Sequence, residues 1–561
     1  LSVDPANHSA HRFLSDTYAN TPRHEIARVS ELLQAQLLQP INVNPVQPHL
    51  AVADFNIITD TGPSAAGFNE FSPLMERNKP QLVASGMAGN NGTLGNEMVF
   101  SKFNERTSIS LGQFHYETNG FRPNNDQKHN IYNTFIQHAF NSKFNIQAEL
   151  RTREKEHGDL LLDFNKNIFS TDARVKIKED FARLGARYSI SSHQDLIVST
   201  AYANRKSDNI YVPNPFDSPI TESATNRSYQ VEAQYLFRSD YFNTVLGGGI
   251  SRRNADFITN IEPPKHPTSQ HNNIYKYSTL NLPKDITATL GFSYRFYKLS
   301  HSEKIEDAIS PKIGMQWNIV DKLRLRLAWF ETVKSDLVGQ QTIEPTQVAG
   351  FNQFFDDPTG TKSQRKGIGL DGYINSNFYG GLEASVRDLD VPQSLKIKEQ
   401  VYRGYLYALL STSWSLTSEF QFEKFSRSND PSSNGFAPHV IETLSIPLKI
   451  NYFNPNGLFA NLSGTFVNQY IDRLSKKYAS DPSYFLWFDE NQKDRGKSNF
   501  LLLDAIVGYR MPSRRGILSF EAKNLFDEDF NFRNPYFFIS EPIAPRYSPA
   551  RTFFVRLTLN F

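Results

Sequence analysis

The sequence predicts an all-β protein, a closed antiparallel transmembrane β-barrel of about 22 strands that follows a short N-terminal helical segment. Three observations support this fold class: long runs that alternate apolar and polar residues, connections that alternate between short and long, and an amphipathic last strand that ends at Phe561. A soluble chain of 561 residues would usually divide into several domains, but one large barrel can account for the same length.

The strand assignment rests on alternation with a period of two. From Asp285 to Phe296, isoleucine, alanine, leucine and aromatic residues alternate with Thr, Gly, Ser and Arg. The same rhythm occurs at 144–151, 229–235, 323–329 and 416–423. The runs reach about 10 to 14 residues, as a tilted membrane strand requires, whereas strands of soluble sandwiches average about 5 or 6. We therefore expect one face of each strand to meet lipid.

Short and long connections alternate along the chain, as in outer-membrane barrels with short periplasmic turns and long outer loops. The predicted turns carry residues suited to tight reversals, as in Asn104-Glu105-Arg106 and Asn454-Pro455-Asn456. The barrel is expected to occupy residues 79–561. The predicted long loops are 117–128, 157–172, 207–226, 255–270, 334–349, 428–437, 472–497 and 529–548.

Composition excludes several classes of function. No run of about 18 apolar residues occurs, which excludes a transmembrane helix. The net charge of +2 gives nucleic-acid binding no electrostatic support. The chain has no cysteine, and His8 and His11 lack further ligands at a metal-binding spacing. Because phosphate-loop, metalloprotease and serine-hydrolase motifs do not occur, we expect neither an enzyme nor a cofactor or metal.

Three segments resemble the barrels of TonB-dependent receptors. Residues 524–530, Asn-Leu-Phe-Asp-Glu-Asp-Phe, are similar to the NLFD(D/E)xY motif after the penultimate strand, and residues 551–561 are similar to the closing strand. Residues 343–346, Ile-Glu-Pro-Thr, are similar to the LxPE sequence that follows a long outer loop and leads into a strand–turn–strand unit. The resemblance covers residues 79–561 and implies an outer-membrane receptor barrel.

The last strand also resembles a targeting signal. Its apolar face would be read by the barrel-assembly machinery of the outer membrane. The residues of this face are Phe553, Val555, Leu557, Leu559 and Phe561.

The N-terminal residues depart from that family, whose members carry a larger plug domain. Residues 1–39 predict two helices, the first from Asp4-Pro5 and the second from Thr21-Pro22, with apolar residues at helical spacing. This segment is similar to the end of a periplasmic tetratricopeptide array, whose fuller repeats would precede Leu1. The whole chain thus resembles plugless, repeat-associated outer-membrane proteins. Residues 40–78 would link the two parts, and the sequence leaves open whether they partly plug the lumen.

Two groups of side chains are candidate binding positions. Polar residues opposite the lipid face should line the lumen, where they either solvate it and pair across strands or contact an inserted segment or solute. The lumen set is Gln147, Glu149, Arg151, Glu232, Arg324, Arg326, Glu419 and Glu423. Loop aromatics would either anchor and pack over the barrel mouth or bind a partner. The loop set is Tyr484, Phe485, Trp487 and Phe488, with Phe351, Phe354, Phe355 and residues 536–538 elsewhere.

These patterns favour a porin-like conduit that passes a polar solute or polymer, with the helical repeats recruiting a periplasmic partner. TonB-dependent uptake of an iron complex, cobalamin or glycan is one alternative. A surface anchor or scaffold that holds an extracellular partner is another. The expected surroundings are the lipid and lipopolysaccharide of a Gram-negative outer membrane and the barrel-assembly machinery, with no nucleic acid.

Overall fold

The computed structural model describes residues 4–18, 22–54, 74–167, 169–211, 219–299, 306–392, 395–428, 438–472, 496–535 and 544–561. Two α-helices precede the strands, α1 at His8–Tyr18 and α2 at Glu25–Leu38. A 3-10 turn at Pro22–His24 leads into α2. Within these ranges, no helix is long and apolar enough to cross a membrane.

The described residues contain 24 strands, which are numbered in chain order. Their bounds are β1 Pro80–Gly89, β2 Leu94–Asn104, β3 Thr107–Thr118, β4 Gln127–Ala139, β5 Phe144–His157, β6 Arg174–Ser191, β7 Gln194–Tyr211, β8 Ile220–Arg238, β9 Phe242–Thr259, β10 Thr268–Leu282, β11 Ile286–Leu299, β12 Glu306–Val320, β13 Leu323–Val333, β14 Gln347–Val348, β15 Phe351–Asn352, β16 Lys362–Asn375, β17 Phe378–Val391, β18 Leu395–Leu409, β19 Trp414–Arg427, β20 Val440–Phe453, β21 Leu458–Asp472, β22 Gly496–Arg510, β23 Gly516–Lys523 and β24 Thr552–Asn560.

Twenty-two of these strands form one sheet that closes on itself. Neighbours in the ring are antiparallel, and the ring closes where β1 pairs with β24, with Val83 opposite Asn560 and Gly89 opposite Phe554. The other two strands, β14 and β15, form a separate hairpin. Closure leaves no strand edge in the ring available to another chain. The predicted fold class and the predicted strand number are both confirmed.

Alternation along the strands separates apolar from polar side chains. On β11, Leu290 and Phe292 are exposed on the outer surface, while Ser293 and Arg295 are buried on the inner side. Large apolar side chains are exposed in this way all around the outer surface, which is unusual on a protein surrounded by water. Such a surface is suited to the hydrocarbon of a bilayer, as in membrane barrels.

The proposed targeting residues lie on the outward side of the closing strand. Phe553, Val555 and Leu557 are exposed, Leu559 is half-buried, and Phe561 is exposed just beyond the end of β24. Their outward placement agrees with the amphipathic pattern. Their recognition by the assembly machinery stays a prediction.

The two ends of the barrel differ in their connections. At one end, here called the turn end, the strands are joined by short turns such as 105–106 and 511–515. At the other end, the loop end, connections include 158–173, 334–361 and 524–551. The predicted alternation of short and long connections is therefore present.

Several strands extend further than the sequence predicts. The predicted loop at 207–226 is mostly strand and the one at 255–270 is half strand, because β7 continues to Tyr211, β8 begins at Ile220, β9 continues to Thr259 and β10 begins at Thr268. A membrane strand needs only about 9 to 11 residues, whereas β8 has 19. Beyond the bilayer both faces of a strand can be polar, so alternation ends although pairing continues. Polar composition was therefore a poor indicator of loops here.

Two outward residues at different heights test which part of the wall meets lipid. Leu184 is 65% exposed on β6 and Ile258 is 53% exposed near the loop end of β9. We expect Leu184→Arg to destabilise the barrel by about 2–4 kcal/mol and Ile258→Arg by about 0–1 kcal/mol, because arginine costs most near the bilayer midplane. Urea unfolding in lipid vesicles measures both values. Equal costs at the two positions would contradict the assignment.

Candidate functional site

Residues 22–54, here called the inserted segment, cross the interior of the barrel. Near one end, Arg23 Nη1 lies 2.6 Å from Glu399 Oε1 on β18. At the other end, Asp54 Oδ1 lies 3.4 Å from Lys155 Nζ on β5. In the ring of 22 strands β5 is the fifth and β18 the sixteenth, so these two strands face each other. A segment that contacts both strands lies within the lumen.

Arg23 forms the first ionic anchor of the inserted segment. Its guanidinium group contacts Asp356 at 2.8 Å, Asp357 at 3.1 Å and Glu399 at 2.6 Å. Burial alone would lower the pKa of Arg23, but the three carboxylates outweigh this effect and raise the pKa well above its usual value. The ring of Phe354 lies 4.6 Å from the guanidinium carbon. Arg23 thus joins the segment both to the wall and to the 334–361 connection.

Asp54 forms the second ionic anchor. Its carboxylate oxygens lie 3.2 Å from His129 Nδ1, 3.4 Å from Lys155 Nζ and 3.7 Å from Arg153 Nη1. Burial alone would raise the pKa of Asp54, but these basic neighbours outweigh it and hold the pKa well below its usual value. The carboxylate is therefore ionised, and it fixes this end of the segment against β4 and β5.

Helix α2 and the chain after it form one packed body. Arg28 donates to the backbone oxygens of Leu50 at 2.6 Å and Val52 at 2.8 Å, which ties the helix to the turn beyond it. Ile26 packs in a buried cluster that includes Phe355 of the 334–361 connection. Nearly all residues of α2 are buried, polar ones included. The helix therefore has no face that is open to solvent.

The connection 334–361 also folds into the lumen and packs on α2. The Thr342 amide donates to Ser30 Oγ at 3.2 Å, and Gln34 Nε2 donates to the Glu344 backbone oxygen at 3.2 Å. Arg295 on β11 donates to the Glu344 carboxylate at 2.6 Å. Residues 343–346 lead into the β14–β15 hairpin, so the strand–turn–strand unit expected after this motif lies inside the barrel. The loop predicted at 334–349 is thus part of a longer inserted connection.

Glycines on the inner face of the wall make room for these inserted residues. At each position a Cβ would come closer to an inserted side chain than real Cβ atoms approach other atoms. The pairs are Gly112 with Pro48 at 2.4 Å, Gly185 with Leu37 at 2.6 Å, Gly314 with Ala349 at 2.7 Å and Gly367 with Phe351 at 2.3 Å. Glycine at polar-face positions of a long strand is a sequence signal for close approach. It could have indicated an occupied lumen.

The predicted lumen residues all lie on the inner side of the wall. Gln147, Glu149, Arg151 and Glu232 are buried beneath the inserted residues. For example, Thr342 Oγ1 donates to Glu232 Oε1 at 2.5 Å. The other four line an open space: Arg324, Arg326, Glu419 and Glu423. A role for any of the eight in binding a solute stays a prediction.

The predicted loop aromatics divide into two groups. Tyr484, Phe485, Trp487 and Phe488 lie outside the described residues, as do residues 536–538. The others are not at the barrel mouth. Phe351 and Phe355 are buried within the lumen, and Phe354 stacks on the imidazole of His24 with 5.2 Å between ring centroids. These three aromatics therefore pack inside the barrel and not over its mouth, because this connection folds inward. A role for them in binding a partner stays a prediction.

The helical prediction for residues 1–39 is correct in part. Two helices form where the apolar spacing predicts them, but α2 lies in the lumen together with residues 39–54. The sequence predicts a boundary at residue 39 between a periplasmic helical unit and a linker. In the structure, the helix and the residues that follow it lie together in the lumen. The polar inner wall provides partners that a repeat array would otherwise supply. Residues 55–73 lie outside the described residues.

A cavity of about 1260 Å³ remains between the inserted residues and the wall, lined mainly by strands β16–β20 and also by residues of β8–β13. Its lining includes Glu399 and Phe425 toward the loop end, and Asn377 and Leu409 toward the turn end. The space therefore follows the wall along much of its height.

Charges along this cavity are paired with one another. Arg326 Nε lies 2.5 Å from Asp371, and Arg403 Nη2 lies 2.9 Å from Glu419. Four tyrosines, Tyr373, Tyr379, Tyr405 and Tyr407, form a contiguous cluster near the turn end. The charged groups of the lining therefore leave no strong excess of either sign. In the part of the chain that the structure describes, no group of three His, Cys, Asp or Glu residues could hold a metal ion.

Gly112→Ala tests whether the inserted segment depends on room in the wall. The new methyl group would overlap the rigid ring of Pro48, so residues 42–54 should detach at a cost of about 1–3 kcal/mol. Hydrogen exchange should increase in these residues and stay unchanged in the strands. Gly464→Ala is the control, since a Cβ there meets no atom within 4 Å. Equal exchange in both variants would refute the close contact.

His24 tests the pH dependence of the attachment. Burial and the positive charges of Arg365 and Arg23 lower the pKa of His24 to about 3 from the usual 6.5. Below about pH 6.5 the released segment binds a proton that the attached segment does not, so attachment should weaken as the pH falls toward 3 and be constant above 6.5. Exchange protection factors of α2 measure this. His24→Phe, which keeps the ring, should show a smaller pH dependence, and an equal dependence would contradict the assignment.

Comparisons with known proteins place this fold among receptor barrels. No family model and no curated protein matches the chain. The chain is similar to the copper transporter OprC, with a TM-score of 0.65 and 13% identity over 87% of this chain and 81% of that chain. It is similar to the unliganded ferric citrate transporter FecA, with a TM-score of 0.62 and 13% identity over 87% of this chain and 80% of that chain.

A third similar structure is BauA, the ferric preacinetobactin receptor from Acinetobacter baumannii. Its TM-score is 0.61, with 11% identity over 86% of this chain and 80% of that chain. At these identities the likeness shows the fold. The resemblance to TonB-dependent receptor barrels is therefore confirmed for the architecture of the 22-stranded ring. The tetratricopeptide association and the absence of a plug are not confirmed.

Proposed function

We propose that this chain is an outer-membrane transport protein in which a polar solute crosses the bilayer along the cavity beside β16–β20. The observation that carries the proposal is this cavity of about 1260 Å³, which follows the wall between the two ends of a barrel whose outer surface is apolar. A polar lumen lowers the cost of crossing hydrocarbon for a hydrophilic solute. In this proposal the turn end faces the periplasm and the loop end faces the exterior, as in outer-membrane barrels with short periplasmic turns.

A gated, receptor-like mode of transport fits the contacts better than a permanently open conduit. The inserted segment and the 334–361 connection occupy the lumen and line one side of the cavity, and buried ion pairs hold the segment at Arg23 and Asp54. Removing one partner of a buried ion pair typically costs about 3–5 kcal/mol. The segment would therefore be displaced only by a ligand or by work from a partner protein. OprC and FecA are transporters by name, which supports transport, and the resemblance to TonB-dependent receptor barrels favours TonB as the partner protein.

The paired charges of the cavity indicate the character of the solute. Arg326 with Asp371 and Arg403 with Glu419 leave little net charge along the wall. Such a lining can donate and accept hydrogen bonds without attracting either sign strongly. A polar solute that is not highly charged suits this passage. In this proposal residues 22–54 and the 334–361 connection form the gate, and the rest of residues 79–561 forms the barrel.

The current through single proteins in planar bilayers tests this function. Arg23→Ala breaks the first anchor, so the inserted segment should be released more often and the conductance in KCl should rise several-fold. A disulfide between Val46→Cys and Ser110→Cys should then restore the low conductance. These positions touch, since the Val46 amide lies 3.2 Å from Ser110 Oγ, and the natural sequence has no cysteine to interfere.

Reduction of the disulfide provides the control. The reduced triple variant should conduct like Arg23→Ala, and the disulfide alone should not change the wild-type current. Hydrogen exchange in residues 22–54 reports release independently of the current. If the segment is released and the conductance does not rise, the cavity is not part of a path across the membrane.

A further inference from the structure

The inner face of β5 carries a row of cations that the inserted segment covers. Arg151, Arg153 and Lys155 occupy alternate positions of this strand, so successive Cα atoms of the row stand about 6.8 Å apart. None of them is more than 3% exposed. Arg183 on the adjacent strand β6 lies beside the row, where it donates to Glu149 at 2.8 Å. The row faces the lumen on the side opposite to β18 and the cavity.

Residues 51–54 meet this row with a series of oxygen atoms. Arg151 Nη1 donates to the Ala51 oxygen at 2.5 Å, and Arg153 Nη1 donates to the Ala53 oxygen at 3.4 Å. Lys155 Nζ donates to Asp54 Oδ1 at 3.4 Å. This part of the chain thus presents three acceptors to the row, but only Asp54 carries a full negative charge. An anion with several charged oxygens would satisfy the same donors more strongly.

Some donors of the wall remain unused by the segment. Among the described residues, the buried atoms Arg151 Nε, Arg151 Nη2 and Arg183 Nη1 have no hydrogen-bond acceptor. The wall carboxylates Glu149 and Glu179 are fewer than the four cations Arg151, Arg153, Lys155 and Arg183. Without Asp54 the wall would therefore carry an excess of positive charge, which a simple structural anchor does not require.

We propose that the cationic row of β5 is a binding site for a linear polyanion, such as a chain of phosphate groups, and that residues 51–54 are its internal competitor. The oxygens of the bound anion would replace those of Ala51, Ala53 and Asp54, which detaches this end of the inserted segment. The inference goes beyond the proposed function, since it concerns the release of the segment and not the passage of a solute. An anion on β5 would leave the cavity beside β16–β20 open.

Calorimetric titration of the purified full chain with tripolyphosphate, at an ionic strength held constant with NaCl, tests the site. Asp54→Asn removes the charge of the internal competitor, so tripolyphosphate should bind about tenfold more tightly than to the wild type. Adding Lys155→Met to this variant should abolish the gain. The matched control is Asp336→Asn, an inserted acid that contacts Arg253 at 3.2 Å on a different part of the wall. This control should bind like the wild type.

Several outcomes would overturn the proposal. They are no binding to Asp54→Asn, an equal gain in Asp336→Asn, or a gain that survives Lys155→Met. If Asp54→Asn does not fold, hydrogen exchange of the wild type decides: tripolyphosphate should accelerate exchange in residues 50–54 relative to NaCl of equal ionic strength, and unchanged exchange rejects the site. These measurements are separate from the conductance of Arg23→Ala, so either proposal can fail while the other stands.

Discussion

The arrangement of the lumen depends on two buried ionic anchors at opposite walls of the barrel. Arg23 lies among three carboxylates near β18, and Asp54 lies among three basic groups of β4 and β5. A buried charge is costly unless it is paired, so a shift of the inserted segment toward either wall would leave one anchor unsatisfied. The anchors thereby fix the position of α2, the surface on which the 334–361 connection packs, and the side on which the cavity remains.

Two different kinds of interaction stabilise the wall and its contents. The wall is a closed ladder of backbone hydrogen bonds with no free edge in the ring. The inserted segment is held by side chains: ion pairs at its ends, hydrogen bonds along α2, and close packing over glycines such as Gly112 and Gly185. Side-chain contacts of this kind can open locally while the ladder persists. This difference in stability supports the proposed gate inside a rigid ring.

The fold of the wall could be predicted because each of its strands alternates side chains that face lipid with side chains that face the lumen. A residue such as Leu290 faces out and its neighbour Gly291 faces in, and this period of two is visible in the sequence. Strand ends were less predictable, as β7 to β9 show, because a strand outside the bilayer can be polar on both faces and need not alternate. The lumen-facing positions of Glu149 and Arg326 follow from the same period, but their partners lie far away in the chain and could not be inferred.

The sequence by itself determined the closed, lipid-facing ring, the number of its strands, and the helical conformation of residues 25–38. Only the tertiary structure decided that this helix and the 334–361 connection lie inside the barrel. The physical reason is that a polar inner wall offers charged and hydrogen-bonding partners much as water or a helical repeat would. An amphipathic helix with Glu25, Arg28, Glu31 and Gln34 therefore looks the same in sequence whether it lies in solvent or is buried against a polar lumen.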